Sequence, residues 1–281
     1  MSILSIQSHV AYGHVGNAAA VFPLQRLGFE VWPVNTVEFS NHLGYDDYRG
    51  RVLDTELVAE VLKGVGERGA FARCRAVLTG FLGDAALGNL ALETADAVRR
   101  ANPAAIYACD PVIGDDGRRY VGDGVAEFLR DRLVPAADLL FPNHFELETL
   151  TGTGIADLPA VVAAARVLVR RGPRLVVCTS FRDPTAGETI DAVAVTADAA
   201  WRVRVPRLPL AIHGTGDAFA AIFVGRWLEQ PDPARALVLT VSALHGIVRR
   251  TWASGDIEMA LVAAQDEVVA PSQMVAVETI G

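Results

Sequence analysis

The chain has 281 residues, 51% of them hydrophobic and 21% charged, with a formal net charge of −8. That apolar share can bury a large core, and the length lies within reach of one large α/β domain. The acidic balance excludes a general nucleic-acid binder, whose affinity comes from Lys and Arg displacing counterions from phosphates.

Taken in chain order, residues 3–7 form a short apolar run that reads as a buried strand. Residues 17–27 read as a helix closed by Gly28. Residues 30–37 read as a strand, and Leu57, Val58, Val61, Leu62 and Val65 then recur at helical spacing. A strand over 75–79, a helix over 87–100 and a strand over 106–110 follow, the last ending at Pro111 and a polar, Gly-rich loop. Residues 138–141 read as a strand, with Pro142 opening the next helix; 161–171 read as a helix and 175–179 as a strand. The closely spaced runs 193–196 and 201–205 suit an antiparallel pair at one edge. This alternation predicts an α/β fold with a mostly parallel central sheet, helices on both faces and a small antiparallel edge. No linker or repeat divides the chain, so one domain over 1–281 is expected.

Cys74, Cys109 and Cys178 are too few and too widely spaced for a disulfide framework or a zinc site. Cys109 and Cys178 fall in strand-like runs and are expected as buried free thiols, which suits the cytoplasm. Met1-Ser2-Ile3-Leu4-Ser5-Ile6 lacks the basic region of a signal peptide. The most apolar stretch, 218–225, falls far short of the ~20 residues that span a bilayer.

Open parallel sheets bind ligands beyond the carboxyl ends of their strands, so the polar residues there are the candidates. The strongest motif is His213-Gly214-Thr215-Gly216-Asp217, followed by an apolar helix. Glycines allow a tight turn with amides facing one way, and a helix N-terminus adds positive potential. Together they suit charge developing on a transferred phosphoryl group, and Asp217 can take a proton from a substrate hydroxyl. The competing reading is an ordinary helix start capped by Asp. In Pro142-Asn143-His144-Phe145-Glu146, Asn143 and Glu146 have capping-box spacing, and Glu146 also suits Mg²⁺ held through water. Asp110 ends a buried strand before Pro111, as a turn residue or a phosphate-side carboxylate. Gln7-Ser8-His9-Val10 leads into the Gly-rich Gly13-His14-Val15-Gly16-Asn17, and Phe39 and His42 can bracket a flat aromatic ligand. A P-loop, a G-x-G-x-x-G after the first strand and protein-kinase signatures are all missing.

These motifs together resemble the ribokinase-like superfamily and, within it, the bacterial pyridoxal kinases. The resemblance runs along nearly the whole chain, through residues 6–10, 12–14, 34–42, 79–83, 109–112, Asn143, Glu146 and the turn at 214–217. It implies a three-layer ribokinase-like fold that uses ATP and Mg²⁺, with a monovalent cation, to phosphorylate the 5′-hydroxyl of pyridoxal, and a homodimer. It makes Asp217 the base, with Gly214, Thr215 and Gly216 facing the γ-phosphoryl. Ser8, Phe39, His42, Leu43, Gly44 and Phe81 would bind the substrate. Asp110, Phe141, Asn143, Glu146, Thr179, Pro206, Arg207 and Leu208 would bind ATP, with Asp110 and Glu146 on the metal and residues 114–124 as a lid. Leu43 and Thr179 stand where the family often has Thr and Lys, and Arg118, Arg119 and Tyr120 occupy the lid where some members have Cys. The alternatives are a kinase for hydroxymethylpyrimidine or pyridoxine, and a vitamin B6-binding protein with weak catalysis.

Overall fold

The computed structural model describes residues 1–280. The first half contains β1 (Ser2–Val10), α1 (Asn17–Arg26), β2 (Glu30–Phe39), β3 (Gly50–Val52), α2 (Thr55–Glu67), β4 (Cys74–Thr79), α3 (Ala85–Ala101) and β5 (Ile106–Cys109). A small hairpin, β6 (Gly114–Asp115) and β7 (Arg118–Arg119), precedes α4 (Asp123–Phe128), α5 (Val134–Ala136), β8 (Leu139–Leu140), α6 (His144–Thr151) and α7 (Leu158–Val169). Then come β9 (Leu175–Phe181), β10 (Thr189–Val195), β11 (Ala200–Pro206), α8 (Thr215–Glu229), α9 (Pro233–Ser254), α10 (Gln265–Val269) and β12 (Val277–Thr279).

The main sheet has ten strands in the order β12-β11-β10-β9-β8-β5-β4-β1-β2-β3. Neighbours from β9 to β2 pair in parallel. Strands β10, β11 and β12 add an antiparallel edge on one side, and β3 another on the other. The runs at 193–196 and 201–205 do pair antiparallel, as β10 and β11, but they are not the outermost strands. Thr279 pairs with Trp201 and covers the β11 edge, whose unpaired amides and carbonyls would otherwise be exposed. Helix α6 begins at His144 with Asn143 as N-cap, so Pro142 lies outside it.

Side chains of β1 alternate between two cores. Leu4 and Ile6 join Val58, Leu87, Val98 and Leu168 on one face; Ile3 joins Leu24, Phe219 and Phe223 on the other. A strand covered on both faces needs apolar residues on both, which explains the continuous run in β1. Where a polar group enters, it is paired: Ser5 Oγ donates to Asn17 Oδ1 at 2.7 Å, and Asn17 Nδ2 donates to Asn35 Oδ1 at 2.9 Å. That bundle fixes the start of α1 against β1 and β2, at the carboxyl edge of the sheet. Cys74, Cys109 and Cys178 are buried and free, and burial pushes the Cys109 thiol up to about 12. No helix among the described residues is long and apolar enough to cross a membrane.

Candidate active site

Helix α8 starts at the carboxyl edge, behind Gly214. Gly214 has φ 82, and no side chain caps the helix. A Cβ on Gly214 would lie 1.6 Å from the His14 carbonyl oxygen, so the turn fits against the 13–16 loop only with glycine. The first-turn amides of α8 lack helical partners and stay available to an anion. Asp217 is therefore not the cap. It stands within the first turn, where the backbone amides of Gly16 and of Asp217 itself offset part of the rise that burial imposes on its carboxyl.

Two chambers meet at this turn. The larger, about 580 Å³, is lined by Asp110, Phe141, Asn143, Glu146, Thr179, Pro206, Arg207, Leu208, Thr215 and Gly216 among others. The smaller, about 150 Å³, is lined by Ser8, Phe39, His42, Leu43, Gly44 and Phe81. Val112, Arg118, Tyr120, His213, Gly214 and Asp217 line both. The fold thus sorts the candidate residues into two groups and puts Asp217 where the groups touch. The larger chamber is lined by apolar Val205, Leu210, Val241, Leu244 and Val248 and by acidic Asp110, Glu146 and Asp217, a lining that suits a ligand with a flat base and charged groups.

The acidic part of the lining is strained electrostatically. Burial pushes Asp217 up to about 6. Burial also raises Asp110 well above the carboxylate range, helped by the charges of Glu146 and Asp217. Glu146 is pushed up to about 8 by burial, against the backbone amides that pull it down. Those amides are Asn143 at 2.9 Å on Oε2, and Ile113 at 2.9 Å with Gly114 at 3.4 Å on Oε1. Asn143 Oδ1 accepts the Glu146 amide at 2.8 Å, completing a capping box, while its Nδ2 donates to the Gly114 carbonyl at 2.7 Å. One side-chain pair thus caps α6 and holds the root of the β6–β7 hairpin. No cluster of three or more metal-ligating side chains occurs among the described residues. Two neighbouring carboxylates, Asp110 and Glu146, are a donor set that fits Mg²⁺, which keeps most of its water and takes one or two carboxylates plus phosphate; these two would hold it.

The smaller chamber is walled by rings. Phe39 lies 4.7 Å from Tyr48 and His42 4.6 Å from Tyr45, centroid to centroid. Gly16 presses on Ser8, since a Cβ there would come 2.5 Å from Ser8 Oγ.

The profile of the phosphomethylpyrimidine kinase family matches residues 34–261. The chain is 51% identical over 274 residues to pyridoxal kinase PdxY of Rubrobacter xylanophilus, covering 96% of this chain and 94% of that one. It is 47% identical to pyridoxal kinase PdxY of Granulibacter bethesdensis, covering 97% of each. The chain belongs to the pyridoxal kinase family. Its fold, that of the ribokinase-like phosphotransferases, aligns with pyridoxal kinase from Leishmania donovani in complex with ADP and pyridoxine at a TM-score of 0.94 and 31% identity, covering 100% of this chain and 99% of that one.

Set in the pyridoxal kinase fold, the departures in sequence have definite places. Leu43 lines the smaller chamber and Thr179 the larger. His213 stands at their junction, its ring 4.2 Å from His42 and its Nε2 packed over Gly44, where a Cβ would come within 2.3 Å. Arg118 and Tyr120, from and just beyond the hairpin, face both chambers. Arg182 and Asp116, both on the lining of the larger one, pair at 3.2 Å. Sequence reasoning missed Arg182 and Glu258. Glu258 meets His42 from 216 residues away, and no local motif announces such a contact.

Proposed function

We propose that the protein transfers the γ-phosphoryl group of ATP to the 5′-hydroxyl of pyridoxal, giving pyridoxal 5′-phosphate and ADP. The observation that carries this reading is the position of Asp217, at the junction of a small ring-walled chamber and a large, partly acidic chamber. The names of the relatives and the ADP and pyridoxine in the Leishmania donovani complex support it.

Pyridoxal lies in the smaller chamber against Phe39, His42, Leu43, Gly44 and Phe81, with Ser8 hydrogen-bonded to the pyridine end. ATP lies in the larger chamber along Phe141, Asn143, Thr179, Pro206, Arg207 and Leu208. Asp217 accepts the proton of the 5′-hydroxyl. The hydroxyl oxygen forms its bond to the γ-phosphorus as the bond to the β,γ-bridging oxygen breaks, and ADP leaves with that electron pair. The amides of the turn at 214–217 hold the charge that gathers on the phosphoryl oxygens, at a helix start that no side chain has filled. Asp110 and Glu146 would hold Mg²⁺, which would supply positive charge beside the phosphates. The proton on Asp217 returns to solvent when the product leaves.

A second reading, a kinase for hydroxymethylpyrimidine, is favoured by the description of the matching family profile. A panel of pyridoxal, pyridoxine, pyridoxamine and hydroxymethylpyrimidine with Mg-ATP separates the two. The expected result is the highest kcat/KM with pyridoxal. Much faster turnover of hydroxymethylpyrimidine would overturn the substrate assignment.

A further inference from the structure

Glu258 lies between α9 and α10 and lines neither chamber. Its side chain is 15% exposed and pairs with no Lys or Arg among the described residues. An enclosed carboxylate is costly unless its hydrogen bonds are met, and here donors from two loops meet them. Oε1 accepts the Tyr45 hydroxyl at 2.6 Å. The same oxygen lies 3.1 Å from His42 Nε2. His42 Nδ1 accepts the Gly44 amide at 3.1 Å, so the neutral ring carries its proton on Nε2 and donates it to Glu258. Oε2 accepts the His14 amide at 3.3 Å. Gly13 lies so close that a Cβ there would come 2.4 Å from Oε2.

Both sets of contacts continue to the turn before α8. The His42 ring packs against His213, tilted by 38° with 4.2 Å between centroids, and His213 precedes Gly214 in the chain. From the other side, the His14 carbonyl fills the space a Cβ on Gly214 would need. The contacts close a ring: Glu258 to His42, to His213, to Gly214, to His14 and back to Glu258. That ring joins the 41–48 loop over the smaller chamber to the turn that presents Asp217.

We infer that Glu258 is a positioning residue that holds the loop over the small chamber in register with the phosphoryl-transfer turn. It acts through His42, Tyr45 and His14 and touches no substrate. Naming the substrate rests on the pyridoxal reading above; the positioning itself does not. His42, Tyr45 and His14 line no part of the larger chamber, whereas His213 and Gly214, farther along the ring, line both, so losing Glu258 disturbs the vitamer side more than the nucleotide side.

The test compares wild type with Glu258→Ala, Glu258→Gln and Tyr45→Phe. Glu258→Ala is expected to raise the pyridoxal KM about tenfold or more, the size of losing a buried hydrogen-bond cluster, with the ATP KM moving less than about twofold. Glu258→Gln keeps an oxygen for Tyr45 and His42 and recovers most of the loss. Tyr45→Phe, which removes one donor and leaves no large void, raises the same KM only about threefold, as expected for a single hydrogen bond. Amide hydrogen exchange at residues 41–48, without ligand, is expected to speed up in Glu258→Ala and return toward wild type in Glu258→Gln. The inference is overturned if the two KM values rise together, if neither changes, or if exchange at 41–48 is the same in Glu258→Ala as in wild type. The exchange arm needs no turnover. Wild-type protein that leaves pyridoxal unphosphorylated therefore overturns the substrate reading while exchange still decides the role of Glu258.

Discussion

Helices α7 and α8 each have an aspartate near their start, and the two residues do different things. Asp157 stands just before α7 and accepts the Ala160 amide at 2.8 Å. Asp84 and Asp232 do the same for α3 and α9. At α8 the cap position is Gly214, no side chain fills it, and Asp217 sits in the first turn. Helix α1 likewise starts behind a glycine, Gly16, with φ 54 and no side-chain cap, and the Gly16 amide points to Asp217. A side-chain cap satisfies a donor and stabilises the helix. A glycine start leaves donors and helix-end potential for something else. Aspartate caps the helix at α7; at α8 it does not, which leaves it free for the role of base proposed above. Helix α6 combines both, because its capping box also shapes the wall of the larger chamber.

The largest effect that would break this contrast is at Asp217. Asp217→Asn is expected to lower kcat by about 10²–10⁴, the range for a lost general base, with pyridoxal affinity by calorimetry nearly unchanged. Unchanged turnover would return Asp217 to the class of Asp157. Gly214→Ala forces a side chain onto the His14 carbonyl at a left-handed φ, so kcat should fall by on the order of 10² as the turn is displaced. Steady-state kinetics beside a thermal melt would show activity lost well before the fold. Glu146→Gln loses the charge and keeps only one acceptor oxygen for the amides that both carboxylate oxygens accept. The Mg²⁺ concentration for half-maximal rate should rise about tenfold, with a drop in melting temperature from the buried amide left unpaired.

The pH profile sharpens the same point. Burial raises Asp217 to about 6, and the proposed base would work only when ionised. At saturating Mg²⁺, which would keep Asp110 and Glu146 ionised, kcat/KM should therefore fall as pH drops through about 6, close to tenfold per unit below it, and not near the ordinary carboxylate value of about 4. An acid limb near 4 would count against Asp217 as the base. The smallest effect is at the ordinary cap: Asp157→Ala should cost about 1 kcal/mol in urea unfolding and leave both KM values and kcat alone.

Much of the fold is legible locally. Apolar periods of two and of about three to four residues mark most strands and helices because burial on a sheet face or a helix stripe repeats along the chain. The candidate residues are legible for a related reason: polar side chains and glycines stand out where a buried strand ends. Local pattern does not separate a capping aspartate from one that caps nothing. At Asp217 the difference lies in the backbone angle of Gly214 and in the approach of His14, about 200 residues earlier in the sequence. Strand β12 is equally silent, since its three residues become a strand only by meeting β11.

By itself, the sequence of this protein determined the alternation of strands and helices, the acidic and glycine-rich strand ends, and the residues able to handle a phosphoryl group. The tertiary structure alone decided that these ends form two chambers with Asp217 between them, that Glu146 both caps a helix and lines a chamber, and that Glu258 closes a ring behind the site. The physical reason is the order of strands in the sheet. It sets β1 between β2 and β4 and brings α8 against α1, and no periodicity along the chain encodes which strand end will face which.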